Sequence, residues 1–110
     1  MTADPEIRRL IQELVEKIKR EYQPEKIILF GSYAYGEPDE DSDLDFFIVK
    51  DTPERPIDRR VQVTRIISDL NWLIPAEPLV LTPQELEARL QIGDQFIQEI
   101  LERGEILYAR

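Results

Sequence analysis

The sequence predicts a small α/β protein in which a mixed β-sheet is flanked by helices. Short apolar runs rich in β-forming residues alternate with longer stretches whose apolar residues recur every three to four positions. Proline and glycine fall between these segments, where one element ends and the next begins. The predicted order is α-β-α-β-α-β-α-α-β, and 110 residues suit a single domain over residues 1–110.

The first half of the chain predicts two helices and two strands. Asp4 and Pro5 are a favourable N-cap and first helical residue, and the apolar spacing continues to about Tyr22, before Pro24. The elements expected next are a buried strand at 26–30, a short helix from Ser32 to about Gly36, an acidic loop at 37–42, and a second strand that carries Asp43 and Asp45.

The second half predicts three helices and two strands. A polar, proline-rich segment at 50–56 is expected to be an exposed loop, and a long helix is expected from Arg59 to Trp72. Thr82 followed by Pro83 and Glu85 is typical of a capping box that begins a helix. The other expectations are core-facing Val61, Ile66, Ile67 and Leu70 on the long helix, a strand at Pro75–Leu81, a last helix at about Asp94–Arg103 capped by Gly104, and a short edge strand at Ile106–Tyr108.

Composition excludes several classes of function. The 23 acidic and 14 basic residues give a net charge of −9, which argues against direct binding to nucleic-acid backbones and leaves room for a basic protein partner. The chain has no cysteine and no histidine, so disulfides, thiolate zinc sites and histidine bases are excluded. We expect a cytoplasmic protein without membrane attachment, because neither a signal-peptide pattern nor a membrane-length apolar run is present.

Gly31 and Ser32 form the first candidate binding element. Gly31 ends a predicted buried strand and allows the backbone to bend and approach a ligand closely. Ser32 offers a hydroxyl and an amide at the start of the short helix, where an anion is favoured. We therefore predict that both residues hold the phosphates of a nucleotide; the alternative is an ordinary strand-to-helix turn.

Asp43 and Asp45 form the second candidate element. They lie two residues apart on a predicted strand, so both side chains project from one face. Paired carboxylates suit Mg²⁺, which binds one or two protein carboxylates together with phosphate oxygens. The alternative is a solvated acidic loop that continues Asp39-Glu40-Asp41. A triphosphate-binding turn beside a metal-binding carboxylate pair predicts nucleotidyl transfer.

These two segments, Gly31-Ser32-Tyr33-Ala34-Tyr35-Gly36 and Ser42-Asp43-Leu44-Asp45-Phe46-Phe47-Ile48-Val49, carry a resemblance to a known family. They resemble the signature of the polymerase-β-like nucleotidyltransferase superfamily, and the short chain is similar to its minimal nucleotidyltransferases. The resemblance implies ATP as substrate, Asp43 and Asp45 as ligands of two Mg²⁺ ions, and a third carboxylate on the next strand.

Glu77 matches the third carboxylate of the family, five residues before Thr82. Family members more often have aspartate there. The resemblance implies that Glu77 binds the metal nearer the acceptor and assists removal of the acceptor proton. The alternative is an exposed acid at the end of a strand.

Several other side chains have alternative interpretations. Tyr33 and Tyr35 occupy positions where many family members carry arginine, and we expect them to pack the short helix. A solvated helix face is the favoured interpretation of the three arginines on the long helix, and contact with the triphosphate is the alternative. These arginines are Arg59, Arg60 and Arg65.

Three aromatic residues are candidates for core, dimer or partner contacts, namely Trp72, Phe96 and Tyr108. Base stacking is an alternative role for Trp72.

The resemblance also implies a partner. Minimal nucleotidyltransferases are typically paired with a small helical HEPN protein, and they act as antitoxins by transferring AMP to a tyrosine of that ribonuclease toxin. One alternative is an antitoxin that neutralises its partner by contact alone. Another is a nucleotidyltransferase for a small molecule, such as an aminoglycoside, whose site a partner subunit completes.

Overall fold

A computed structural model describes residues 4–70 and 74–110. In this part of the chain five helices and four strands follow the predicted order. Trp72, with the roles predicted for it, lies outside the described residues. The elements are α1 (Pro5–Tyr22), β1 (Lys26–Phe30), α2 (Ser32–Tyr35), β2 (Leu44–Val49), α3 (Pro56–Ile67), β3 (Ala76–Leu81), α4 (Pro83–Gln91), α5 (Gln95–Arg103) and β4 (Glu105–Ala109).

The four strands form one mixed sheet in the order β3-β2-β1-β4. β1 is antiparallel to both β2 and β4, and β2 is parallel to β3. β1 therefore lies between two partners, and Ile27 to Phe30 are all buried. A strand covered on both faces needs apolar side chains at every position, which explains the continuous apolar run. The predicted α/β class with a mixed sheet is confirmed.

Helices cover the two faces of the sheet to different extents. On one face α1 and α3 pack against a large cluster that includes Leu29, Phe46 and Ile48. On the other face α5 packs against a smaller cluster that includes Phe30 and Phe47. Asp45 is only partly buried, at the β2 end beside this smaller cluster. The less covered face is therefore the one open to a ligand.

Helix α3 departs from the prediction at both ends. It begins at Pro56 rather than Arg59, because Pro56 occupies the first helical position after the extended Arg55. It ends at Ile67, where the Ser68 amide bonds to the carbonyl of Arg65. The buried face is Arg59, Val63 and Ile67, so the predictions of a buried Val61 and a solvated Arg59 were wrong: Val61 is 43% exposed and Arg59 is 4% exposed.

Capping interactions fix the boundaries of the other helices. Asp4 accepts a hydrogen bond from the Glu6 amide, and both halves of the predicted capping box between Thr82 and Glu85 are present. Gly104 caps α5 with an extended backbone at φ −66°, so a left-handed conformation is not what requires glycine there. A Cβ atom at Gly104 would lie 2.5 Å from the side chain of Ile28, so close packing against β1 is what requires glycine at this position. None of the described helices has the length and apolarity to cross a membrane.

Candidate active site

Asp43 and Asp45 lie at the beginning of β2. Asp45 is the second residue of the strand, where it stands opposite Phe30 of β1 and beside Glu77 of β3. Neighbouring residues on adjacent strands project to the same face, so Asp45 and Glu77 share the less covered face. Asp43 precedes the strand by one residue, and the Leu44 amide bonds to the carbonyl of Pro75 at 2.9 Å, which anchors this end of β2 to the β3 side.

The acidic loop before β2 has its own turn structure. The Asp39 amide donates to Ser42 Oγ at 2.9 Å, and the Ser42 amide donates to the Asp39 carbonyl at 3.1 Å. The Asp41 amide bonds to the Asp39 carboxylate at 2.9 Å. The turn ends at Ser42, before the two aspartates. Asp45 therefore belongs to the strand, and the alternative of a solvated loop is wrong for this residue.

The carboxylate of Asp45 is electrostatically unfavourable in the ligand-free protein. Its pKa is raised from 3.8 to about 6, mainly by partial burial and in addition by the charges of Asp43 and Glu77. Within residues 4–70 and 74–110 no lysine or arginine forms an ion pair with it. Asp45 is thus a half-buried carboxylate that lies next to two other acids and has no cationic partner among the described residues. Such a carboxylate is suited to bind a cation.

Gly31 forms a tight turn against Asp45. Its backbone has φ 75° and ψ −156°, a region that essentially only glycine adopts. A Cβ atom built on Gly31 would overlap Asp45 Oδ2. The Gly31 carbonyl accepts hydrogen bonds from the Ala34 and Tyr35 amides at 3.0 Å, which closes the single turn of α2. The predicted glycine turn is therefore in direct contact with the predicted metal ligand, while Ser32 follows it half-buried.

Substitution of Gly31 by alanine is expected to destabilise the protein by at least about 2 kcal/mol and to displace Asp45. Both the positive φ and the overlap with the carboxylate contribute. Gly93→Ala is a matched control, because Gly93 also has φ 75° but has no heavy atom within 4 Å of its Cβ position. Urea denaturation of both variants separates the cost of the positive φ from the cost of the overlap with Asp45. An equal loss of stability in the two variants would show that the contact with Asp45 does not contribute to stability.

Glu77 is placed beside Asp45 but is engaged by another residue. Its Oε2 lies 2.6 Å from Arg60 Nη2, and the two side chains are 43% and 55% exposed. Among the residues that the structure describes, no group of three or more acidic, histidine or cysteine side chains is arranged to hold a metal ion. The structure thus brings the charge of Glu77 close to Asp45 without assembling a three-carboxylate cluster.

The residues present fit a divalent cation. Oxygen donors from Asp43 and Asp45 are the ligands that Mg²⁺ prefers, and phosphate oxygens of a nucleotide complete such a site in other proteins. The raised pKa of Asp45 has burial as its main cause and shows that negative charge there is not compensated. A cation bound by Asp43 and Asp45 would compensate this charge and so stabilise the fold.

The remaining predicted side chains have diverse roles. Tyr33 is buried, as predicted for packing of the short helix. Tyr35 packs partly against both core clusters, and the guanidinium of Arg103 lies 4.7 Å above its ring. Phe96 is 54% exposed and makes an edge-to-face contact with Phe30 at 5.8 Å between ring centres. Tyr108 is partly buried against the larger cluster.

Arg103 was missed in the sequence. It lies 68 positions from Tyr35, which is too distant for a local pattern to show. The available signal was the lack of any lysine or arginine between Lys26 and Lys50, which requires any cation near the glycine turn to come from elsewhere.

Comparison with known families decides the class. Residues 11–107 match the family model of the nucleotidyltransferase domain. This chain belongs to the nucleotidyltransferase domain family. The matched range contains the glycine turn, the two aspartates and Glu77. The polymerase-β-like resemblance and the enzyme class predicted from the sequence are confirmed.

Two proteins of Methanocaldococcus jannaschii (strain ATCC 43067 / DSM 2661 / JAL-1 / JCM 10045 / NBRC 100440) are related to this nucleotidyltransferase. "Putative protein adenylyltransferase MJ1305" is 31% identical over 109 residues, which cover 94% of this chain and 73% of that protein. "Putative protein adenylyltransferase MJ0604" is 34% identical over 103 residues, which cover 91% of this chain and 96% of that protein. The similarity to both therefore extends over nearly the whole nucleotidyltransferase.

Solved structures share the fold at lower identity. A crystal structure of a "putative nucleotidyltransferase" from Sulfolobus solfataricus matches with a TM-score of 0.63 and 22% identity, over 93% of this chain and 79% of that one. A toxin–antitoxin structure with AMP-PNP matches with a TM-score of 0.57 and 19% identity, over 90% and 73%. A mutant MntA–HpeT toxin–antitoxin structure matches at 0.52 and 16%, over 99% and 75%. These likenesses show that the nucleotidyltransferase fold is shared.

Proposed function

We propose that this nucleotidyltransferase transfers AMP from ATP to a tyrosine hydroxyl of a HEPN-type ribonuclease toxin and so acts as an antitoxin. The observation that carries the proposal is the contact between the Gly31 turn and Asp45, with Asp43 and Glu77 close enough to raise the pKa of Asp45. A nucleotide-binding turn and a carboxylate site meet at one point of the sheet. That arrangement suits a metal-bound triphosphate.

The reaction forms one bond and breaks one. The acceptor oxygen attacks the α-phosphorus of ATP, the bond from that phosphorus to the bridging oxygen breaks, and pyrophosphate leaves. Asp43 and Asp45 would hold Mg²⁺, which supplies neutralisation of the triphosphate charge. Gly31 and Ser32 would orient the outer phosphates, and Glu77 would accept the proton of the acceptor hydroxyl.

Several findings support a protein acceptor. The names of both curated relatives describe protein adenylyltransferases. Toxin–antitoxin structures share the fold, and one of them was solved with AMP-PNP. The net charge of −9 favours a basic partner such as an RNA-cutting protein.

The proposal is tested by the intact mass of the partner. The nucleotidyltransferase, ATP and Mg²⁺ are incubated with a purified HEPN-type protein, and the partner is expected to gain AMP-sized increments that peptide mapping assigns to tyrosine. A variant with Asp43→Asn and Asp45→Asn is expected to produce none. Increments on added aminoglycosides, with none on the protein, would instead favour the small-molecule alternative.

A second candidate function is neutralisation by contact alone. It is favoured by the Arg60–Glu77 ion pair and by the lack of a three-carboxylate metal cluster in residues 4–70 and 74–110. In that case the partner forms a stable complex, its mass does not change, and the double aspartate variant protects against the toxin as well as the wild type does.

Glu77→Gln distinguishes a catalytic from a passive third carboxylate. If Glu77 accepts the acceptor proton, the substitution is expected to lower kcat by about 100-fold or more, because it removes a general base. Arg60→Gln is the matched control, since it breaks the 2.6 Å ion pair but leaves the carboxylate in place. Single-turnover rates that fall equally in both variants would indicate that only the ion pair matters.

A further inference from the structure

The glycine turn lies in a strongly acidic part of the chain. Between Lys26 and Lys50 the sequence has no lysine or arginine and six acidic residues. The triphosphate of ATP is itself highly anionic. A cation from another element would strengthen the binding of phosphate oxygens at this place, in addition to any bound metal.

Arg103 is brought to this region by the fold. It is the last residue of α5, its guanidinium lies 4.7 Å above the ring of Tyr35, and its Nη2 donates to the Tyr35 carbonyl at 3.3 Å. The residue is exposed, and it forms no ion pair with any residue in the described ranges. Stacking on an aromatic ring orients a guanidinium and leaves donors free for an anion.

The ring of Tyr35 connects Arg103 to the site. Burial raises the pKa of Tyr35, and the other groups that act on its phenol are the backbone of Gly31 and the charges of Glu99, Arg103 and Asp45. The Tyr35 side chain is therefore close both to the Arg103 guanidinium, which stacks on its ring, and to the backbone of Gly31 in the turn. Through Tyr35, helix α5 brings Arg103 into the neighbourhood of that turn.

Other cations near the sheet already have partners. Arg59 and Arg60 pair with Glu85 and Glu77, and Arg8 pairs with Glu105. Lys50 donates to the Tyr22 carbonyl at 2.7 Å. These contacts leave Arg103 as the best-placed described cation for an additional anion.

We propose that Arg103, held by stacking on Tyr35, binds the outer phosphates of the nucleoside triphosphate at the Gly31–Ser32 turn. The inference rests on the proposed function, because it concerns the same nucleotide. Arg103 is the binding group, and Tyr35 is its positioning residue. Triphosphates should therefore depend on this pair much more than monophosphates do.

The test is calorimetric binding of AMP-PNP and of AMP in the presence of Mg²⁺. Arg103→Ala is expected to weaken AMP-PNP binding by about 10- to 100-fold, as for loss of a hydrogen bond to a charged group, and to change AMP binding little. Arg110→Ala is the matched control, because Arg110 is exposed at the opposite end of the sheet, beside Glu25 and Lys26. It is expected to bind both nucleotides like the wild type.

A relocated cation provides the decisive second variant. In the Arg103→Ala background, Tyr35→Arg is expected to restore AMP-PNP binding, whereas Tyr35→Leu in the wild type is expected to reduce the preference for AMP-PNP over AMP. These ratios would not change if the two residues had only a structural role.

The outcomes separate the two proposals. AMP-PNP binding by Arg103→Ala within twofold of the wild type overturns the role of Arg103 and leaves the proposed function intact. Nucleotide binding that depends on Arg103, without transfer to the partner, supports the inference and overturns the transferase proposal. A wild-type protein that binds no triphosphate overturns both.

Discussion

Replacing Asp45 by asparagine is expected to abolish AMP transfer and, at the same time, to make the metal-free protein more stable. Transfer is expected to fall by more than about 100-fold, because Asp45 is proposed as a direct metal ligand, whose loss should exceed the 10- to 100-fold effect of outer-shell partners. Stability should rise because the substitution removes a half-buried charge that faces Asp43 and Glu77. A pKa raised to about 6 sets an upper limit of about 3 kcal/mol, and solvent screening reduces the expected gain to about 1 to 2 kcal/mol.

Asp41→Asn is the matched control for this prediction. Asp41 is an exposed acid four positions earlier, so its substitution lowers the negative charge by the same amount without touching the site. It is expected to leave both transfer and stability close to the wild-type values. Thermal unfolding without Mg²⁺ and transfer rates with Mg²⁺ provide the two measurements. An Asp45→Asn protein that is less stable than the wild type would contradict the electrostatic account of the site.

Arg59→Met is expected to lower the free energy of unfolding by about 2 to 4 kcal/mol. Arg59 is 4% exposed, and its guanidinium pairs with Glu85 at 2.7 Å and donates to the Glu54 carbonyl at 2.8 Å. Methionine keeps the apolar stem but leaves these acceptors without their donor. The cost stays at the lower end for a broken buried pair because the Glu85 side chain is 38% exposed and can be hydrated.

Arg65→Met, on the exposed face of the same helix, is the matched control and is expected to change stability by less than about 0.5 kcal/mol. Urea denaturation measures both variants. If Arg59→Met costs no more than Arg65→Met, the buried guanidinium does not contribute to the join between α3 and α4.

Glu85 makes the same network pH-dependent. The hydrogen bond from Arg59 holds the pKa of Glu85 below its usual 4.5, and the Thr82 amide acts in the same direction. A lowered carboxyl pKa means that the native state binds fewer protons than the unfolded state. The stabilisation is therefore present above pH 4.5 and is lost as the pH falls through the native pKa. Glu85→Gln should be less stable than the wild type at neutral pH, and the difference should disappear in acid; a constant difference would argue against it.

Much of the architecture was predictable because local signals agreed with the tertiary structure. The run from Ile27 to Phe30 predicted a strand, and that strand is buried on both faces. Asp4 and Thr82 were predicted helix starts, and both make their capping hydrogen bonds. Gly31, Asp43 and Asp45 were singled out by their spacing around two strands, and the sheet brings Gly31 and Asp45 into contact.

The failures concern interactions between distant parts of the chain. The expected buried face included Val61 because it is apolar and excluded Arg59 because it is charged, whereas the observed buried face is Arg59, Val63 and Ile67. A buried arginine is energetically acceptable only with a partner, and that partner is 26 residues away in a capping box.

The engagement of Glu77 also escaped the sequence. Its position beside Asp45 depends on the register of parallel strands, and its ion pair depends on how α3 reaches the edge strand β3. The periodicity of a single segment predicts neither the register between two strands nor the packing of a helix against a strand. The same limit applies to Arg103, whose contact with Tyr35 exists only after α5 packs on the sheet.

The position of β1 has a consequence for biosynthesis. Its hydrogen-bonding edges are satisfied by β2, which follows closely in the chain, and by β4, which is made near the end of the described residues. While β4 is still missing, β1, whose residues Ile27 to Phe30 are all apolar, has an unpaired edge, which is a template for aggregation. Truncation before Glu105 should therefore yield insoluble protein. Nascent chains that do not yet contain β4 should depend on chaperones until this strand has been synthesised.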